Sequence, residues 1–198
     1  NEVARFILED LDKAIDLLAS RSKFSGQRLN REAALLFKSR VALYEGTFEK
    51  YHRNSGRVPG DSEWPGANAD YNSGKIFGID GEIEFFLTEA IAAAEEVAGT
   101  AQLTSNNHVI EPTVGVTTGW NPYFEMYSQP SLANVTEVLL WKEYNSELSV
   151  KHNAPYRCKI GCADGYTRTF VEAFLMKNGL PIYAENSGYQ GDTSIDNA

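Results

Sequence analysis

The stretch NREAALLFKSRVALYEGTFEKY, residues 30–51, decides the fold, because its apolar residues return every three or four positions. This spacing predicts a long amphipathic helix with Asn30 as its N-cap. Its buried stripe is predicted to consist of Ala33, Ala34, Phe37, Val41, Tyr44 and Phe48. Gly46 weakens a helix by about 1 kcal/mol relative to alanine, so its presence here predicts a closely packed neighbouring helix.

Two further runs with the same period lie before and after this helix. Residues 2–20 place on one side Val3, Phe6, Ile7, Leu11, Ala14, Ile15 and Leu18. Residues 81–98 follow a predicted N-cap at Asp80 and place on one side Ile83, Phe86, Leu87, Ala90, Ile91, Ala94 and Val97. Both runs therefore predict amphipathic helices that pack against residues 30–51.

Shorter elements follow. Residues 120–129 predict a short helix with Pro122 in its first turn. Residues 137–144 are either a strand or a helix continuation, because their period does not decide, and a strand or extended segment is favoured. Trp141 in this run is assigned to the core, as are Tyr44 and Tyr51. A last helix is predicted over residues 168–177, with its inward side formed by Phe170, Val171, Phe174 and Leu175.

The predicted fold class is mainly α, with tetratricopeptide-like helical repeat pairs and long irregular loops at about residues 53–79 and 145–166. The consensus tetratricopeptide pattern is not met, but a divergent repeat needs only that each helix pair buries its stripe on the next. Residues 1–198 are interpreted as a single region. A helical run directly after Asn1 and a polar tail from Asn186 to Ala198 predict an interior piece of a longer protein.

The charge and the cysteine content limit the classes of function that are expected. The net charge is -9 without a cluster of Lys or Arg, so a nucleic-acid partner is not predicted. Arg21 beside Asp16 predicts a solvated ion pair. Cys158 and Cys162 either close a small disulfide loop or stay two thiols. The three histidines lie far apart in the sequence, so no metal site and no cofactor are predicted.

Taken in order, these segments resemble the SusD/RagB family of bacterial outer-membrane proteins. Residues 167–181, TRTFVEAFLMKNGLP, resemble the family's Thr-x-x-Leu-Val-Asp-Ala-Phe…Asp-Gly-Leu-Pro block, with Phe170 and Glu172 in place of the commoner Leu and Asp. The helices at residues 10–18, 32–51 and 85–97 resemble the family's repeat helices, and residues 136–141, TEVLLW, resemble its Glu-Val-Ile-like run.

The resemblance implies a surface-exposed lipoprotein of the cell outer membrane beside a TonB-dependent transporter. Such proteins bind an oligosaccharide or polysaccharide without turnover and deliver it to the transporter. The chain as written lacks a lipid-anchor motif and the family's terminal parts. No cofactor is implied.

Sugars stack on Trp and Tyr rings, while amides, carboxylates and guanidinium groups fix their hydroxyls. The first predicted glycan-binding set lies in and beside the loop before residue 168 and consists of Asn153, Tyr156, Arg157, Asp164 and Tyr166. Trp120 and Tyr123 form the second set, and Trp64 and Tyr71 the third. Taken singly, each of these aromatic residues is more typical of a core-covering side chain.

Two other functions stay open. One is a helical-repeat module that docks on the transporter without binding sugar in this part of the protein. The other is a glycosidase using the helix carboxylates Glu82, Glu89 and Glu95, although such enzymes need an opposed pair roughly 5–10 Å apart in a cleft. Acidic residues on amphipathic helices are typical of a solvated face, and no Ser/His/Asp or Cys/His arrangement is suggested. The sequence therefore predicts a protein that is not an enzyme.

Overall fold

The computed structural model describes residues 2–160 and 165–191. Contacts divide the chain into two compact units, Asn1–Asn145 and Ser146–Ala198. The described residues form six α-helices and no named strand, which confirms the predicted mainly α class. In this described part, no helix combines the length and apolar character needed to cross a membrane.

The first unit contains α1 (Glu2–Leu17), α2 (Arg31–Tyr51), α3 (Ile79–Ala98) and α4 (Pro122–Ser128). Helix α2 packs against both α1 and α3. Asn30 caps it as predicted, because its side chain accepts a hydrogen bond from the Ala33 N–H at 2.9 Å. Its amide group also donates to the Leu139 carbonyl at 2.8 Å, which ties the start of α2 to a distant segment.

Two buried apolar clusters join these helices. One cluster is formed by Leu8, Ala42, Phe86 and Ala90. The other is formed by Ile15, Leu35, Ala93, Val97 and Leu139. Each cluster takes residues from α1, α2 and α3, so the three helices share one core region.

The predicted buried stripe of α2 is confirmed only in part: Ala33, Ala34 and Val41 are half-buried against the two clusters. Phe37 and Tyr44 are 55% and 68% exposed, and Tyr51 is exposed as well. The buried side consists of Leu35, Lys38, Ser39, Ala42, Gly46 and Glu49. Small and polar residues occupy this side because α3 approaches closely: a β-carbon on Gly46 would lie 3.0 Å from the Leu87 side chain. The close packing predicted from Gly46 is thereby confirmed.

Helices α1 and α3 each bury less than predicted. On α1, Leu8 and Ile15 are buried while Val3 and Phe6 are exposed, so α1 buries only a narrow strip against α2 and α3. On α3, most of the predicted stripe is buried or half-buried, but Ile91 is exposed. This helix begins at Ile79 after Gly78, so the predicted cap Asp80 lies inside its first turn.

The segment between α2 and α3 is a loop, as predicted, with two short 3₁₀ turns at Pro65–Asn68 and Asp70–Asn72. The buried Asp61 carboxylate accepts hydrogen bonds from the backbone N–H groups of residues 54, 55 and 56, at 2.9 to 3.2 Å. The Trp64 ring packs edge-on against Phe77 with 5.1 Å between centroids. One acidic side chain therefore organises the start of this loop.

Residues 137–144 belong to no helix or strand, so the predicted strand does not form. The first of them, Glu137, lies in a turn in which the Val138 N–H donates to the Val135 carbonyl at 3.1 Å. The Arg21 guanidinium holds residues 132–138 in place. It donates hydrogen bonds to the carbonyl groups of Leu132, Ala133, Val135 and Val138. The predicted ion pair of Arg21 with Asp16 is thus replaced by backbone contacts. Trp141 is half-buried, and its indole N–H donates to the Ser25 carbonyl at 2.7 Å.

The second unit contains α5 (Ala154–Ile160) and α6 (Arg168–Glu172). Helix α5 lies inside the predicted loop of residues 145–166, so that prediction is wrong. Helix α6 ends before residue 177 because the chain reverses there: Met176 N–H donates to Leu180 O at 2.8 Å, across a turn in which Gly179 has φ +79°. The residues predicted to face inward are exposed, namely Phe170, Val171, Phe174 and Leu175. The question of a Cys158–Cys162 disulfide lies outside the described residues.

Candidate functional site

Asn121 and Pro122 position the short helix α4. The Asn121 side chain accepts from the backbone N–H groups of Tyr123 and Phe124 at 2.8 and 3.2 Å, and Pro122 begins the helix as predicted. The Asn121 amide also donates to the Val109 carbonyl at 2.8 Å. With Met126 buried on the inner side, this short helix leaves Tyr123, Phe124 and Tyr127 exposed.

These aromatic side chains line a cleft between α4 and residues 106–110. The aromatic cleft has a volume of about 510 Å³ and is lined by Asn106, His108, Val109, Ile110, Trp120, Asn121, Tyr123, Phe124 and Tyr127. Its rings form two pairs. The centroids of Trp120 and Phe124 lie 4.7 Å apart, and those of Tyr123 and Tyr127 lie 5.3 Å apart at a steep interplanar angle.

The polar side chains of the aromatic cleft are two amides, two phenols, one indole and the His108 imidazole. The hydroxyl oxygens of Tyr123 and Tyr127 lie 3.3 Å apart. This hydrogen bond raises the pKa of Tyr127 above its ordinary value, and the nearby Glu137 carboxylate adds to the effect. The Asn106 Oδ1 accepts from the His108 backbone N–H at 2.8 Å, which orients the amide. The aromatic cleft therefore combines hydrogen-bonding groups with exposed aromatic rings.

Two other cavities differ in their lining. One, of about 430 Å³, lies on the opposite side of α4 and is lined mainly by amide and hydroxyl side chains together with Glu125. Another, of about 630 Å³, lies beside Trp141 and includes Arg28, Lys142 and Glu143. Neither combines several aromatic rings with neutral polar groups, as the aromatic cleft does.

The predicted site residues fall in different places. Trp120 and Tyr123 meet in the aromatic cleft. Trp64 is half-buried against Phe77, and Tyr71 is exposed on the loop before α3.

The remaining predicted residues belong to the second unit. Tyr156 and Arg157 lie on α5, where the Asn153 carbonyl accepts the Arg157 backbone N–H at 3.1 Å. Tyr166 is exposed and stacks on Phe170, with 5.1 Å between ring centroids. Asp164 lies outside the described residues. The described members of this set are all exposed on the surface of their unit.

Sequence reasoning missed seven lining residues of the aromatic cleft: Asn106, His108, Val109, Ile110, Asn121, Phe124 and Tyr127. Phe124 follows Trp120 by four positions, and Tyr127 follows Tyr123 by four. Helical spacing along WNPYFEMY therefore signals both rings. Asn106 and His108 lie in an aperiodic segment, and no sequence pattern signals them.

Two of the three carboxylates considered for a glycosidase, Glu82 and Glu89, lie between helices, whereas Glu95 is exposed. Glu82 of α3 accepts from the Arg5 guanidinium of α1 at 2.7 Å, and this guanidinium also lies 3.8 Å above the Phe85 ring. Lys38 of α2 contacts both Asp12 of α1 and Glu89 of α3 at 2.6 Å. These carboxylates therefore connect helices. In the described part of the chain, no group of three or more His, Cys, Asp or Glu is arranged to hold a metal ion.

Comparison with known proteins gives no family. No family model matches this chain, and neither a curated protein nor a solved structure matches it. The resemblance to the SusD/RagB family stays a prediction, and function is argued from the site.

Proposed function

We propose that this chain is a non-catalytic glycan-binding protein that holds an oligosaccharide or polysaccharide in the aromatic cleft. The observation that supports this proposal is four aromatic rings and neutral polar groups around one open cleft. The C–H face of a pyranose stacks on such rings, while amide and phenol groups bind its hydroxyls. Asn121 fixes the rings before any ligand arrives, which lowers the entropic cost of binding.

The proposed setting is the bacterial cell surface, in an outer-membrane lipoprotein that delivers sugar to a TonB-dependent transporter. The resemblance of residues 167–181 to the SusD/RagB block supports this setting. A tetratricopeptide-like stack is proposed for α1 to α3, supported by the short 3₁₀ turn Arg21–Phe24 between α1 and α2. Tyr156, Tyr166, Asn153, Arg157 and Asp164 are the alternative location of the glycan site.

The test is calorimetric titration of the folded protein with neutral and acidic oligosaccharides. Tyr123→Ala and Tyr127→Ala should each weaken binding roughly tenfold, because loss of a stacking ring removes on the order of 1.4 kcal/mol. Tyr51→Ala is the matched control, since Tyr51 is 78% exposed on α2, outside the aromatic cleft. It should leave binding unchanged.

Two further results decide the site and the function. If Tyr156→Ala and Tyr166→Ala abolish binding while Tyr127→Ala does not, the glycan site lies in the second unit. If the folded protein binds no glycan of the panel, the proposal is overturned.

The exposed side of α2 supports docking on the transporter as a second function. Phe37, Tyr44 and Tyr51 recur at intervals of seven positions, with Leu36 and Leu43 beside the first two, and all five side chains are exposed. A continuous apolar stripe of this kind is typical of a helix that binds a protein groove. Phe37→Ser combined with Tyr44→Ser should weaken binding to a purified TonB-dependent transporter, while Tyr127→Ala should not. Equal binding by both variants would contradict this second function.

A further inference from the structure

The aromatic cleft contains no lysine or arginine to pair with an acidic sugar. None of its described lining residues is a lysine, arginine, aspartate or glutamate. Proteins bind carboxylates and sulfates mainly through arginine, lysine or clustered backbone N–H groups. An acidic sugar that enters a site without such partners loses hydration that nothing replaces.

Several backbone donors near the aromatic cleft are already used by the protein's own side chains. At the start of α4, the N–H groups of Tyr123 and Phe124 both donate to the Asn121 side chain. The Gly119 N–H donates to the Glu125 carboxylate at 2.8 Å. An anionic ligand would have to displace these bonds before it could use the same donors.

The charges around the aromatic cleft are acidic. Glu137 acts on the Tyr127 hydroxyl electrostatically, Glu125 lies on the other side of α4, and Glu111 is exposed directly after Ile110. The whole chain carries a net charge of -9. Such a field repels anions from the entrance and leaves neutral ligands unaffected.

We propose that the aromatic cleft selects neutral glycans and rejects glycans that carry carboxylate or sulfate groups. This inference rests on the proposed glycan-binding function and narrows its ligand class. The selection comes from three features together: the aromatic stacking surface, the amide and phenol hydrogen-bonding groups, and acidic surroundings with no lysine or arginine in the lining.

The test compares ligands that differ only in charge. The probes are cellohexaose, maltohexaose and galactohexaose, each together with the form whose primary alcohols have been oxidised to carboxylates. We expect the oxidised form of a bound hexamer to bind at least tenfold more weakly in low salt. High salt should recover part of this loss, because screening weakens charge repulsion but does not replace a missing hydroxyl contact.

A gain-of-function variant provides the second arm. Ile110 is 88% exposed at the cleft lining, so Ile110→Arg adds a guanidinium without disturbing the core. It should strengthen binding of the oxidised hexamer relative to binding of the neutral hexamer. Ile76→Arg adds the same charge on the loop before α3, where Ile76 is 97% exposed, and should change neither.

The outcomes separate the two proposals. If an oxidised hexamer binds as well as its neutral parent through a site sensitive to Tyr127→Ala, the selectivity is overturned and glycan binding stands. If none of the neutral or oxidised hexamers binds, both proposals fail. Oxidation could also abolish binding in a way that neither high salt nor Ile110→Arg restores. That result overturns the proposed selection by charge.

Discussion

At the scale of single residues, Lys38 shows how a charge is kept inside a helix interface. Burial acts to lower the pKa of Lys38, but hydrogen bonds to Asp12 and Glu89 outweigh it, so the pKa lies above its ordinary value of 10.5. A raised lysine pKa stabilises the fold fully below the ordinary value and less as pH rises through the raised one. The contribution of Lys38 is therefore complete at neutral pH and is lost only in strong alkali.

Lys38→Met tests this contribution. It leaves Asp12 and Glu89 without their common partner, and we expect the free energy of unfolding to fall by about 1–3 kcal/mol at pH 7. Urea denaturation followed by circular dichroism measures the change. Arg40→Met is the matched control, because Arg40 is exposed on the same helix. Equal stability of the two variants would contradict an interhelical role for Lys38.

Tyr127 gives a second prediction at this scale. Its pKa is raised above 10.0 by the hydrogen bond with Tyr123, so its hydroxyl should ionise at higher pH than that of an exposed, unpaired tyrosine. Replacing Tyr123 by Phe removes the bond and should bring the pKa of Tyr127 down. Carbon NMR of labelled tyrosine rings during an alkaline titration follows both. An identical Tyr127 titration in the variant would show that the hydroxyl pair does not form in solution.

At the scale of elements, the contact between α2 and α3 depends on Gly46. A β-carbon there would lie 3.0 Å from Leu87 Cγ and 3.2 Å from Phe86 Cβ. Phe86 Cβ is attached directly to the backbone of α3 and cannot move alone. We expect Gly46→Ala to lose about 1 kcal/mol net, because overpacking of about 1–3 kcal/mol exceeds a helix-propensity gain of about 1 kcal/mol.

Gly81→Ala provides the matched control in thermal denaturation. Gly81 lies in the first turn of α3, and a β-carbon there would meet no atom within 4 Å. Only the helix-propensity gain remains, so this variant should unfold at a higher temperature than the unmodified protein. If Gly46→Ala is stabilised as much as Gly81→Ala, the helices are not in close contact at residue 46.

At the scale of the whole molecule, residues 1–145 should fold without the remainder. Both buried clusters lie within this unit, and Leu139 near its end belongs to one of them. We expect a fragment of residues 1–145 to show a helical spectrum and one cooperative thermal transition. A fragment of residues 1–131 lacks Leu139 and should be less stable. A non-cooperative transition for residues 1–145 would contradict the division into units.

Sequence periodicity predicted where the long helices lie but not which side of α2 is buried. Asn30 and Pro122 mark helix starts through local chemistry, which a sequence displays directly. The buried side of α2 depends on Lys38 meeting residues of two other helices, and no local pattern records that. The aromatic cleft could be predicted only in part, because local spacing signals some of its residues and not others. Helical spacing signals Tyr127, whereas no local pattern signals Asn106.

Arg21 has a consequence for the order in which the chain folds. Its guanidinium donates hydrogen bonds to four carbonyl groups, which belong to residues 111 to 117 positions later in the sequence. Contacts across such sequence separations form slowly, because a long loop must close first. The helix pair α1–α2 can form early from nearby residues, and the guanidinium engages residues 132–138 near the end. Loss of this side chain should therefore speed unfolding far more than it slows folding.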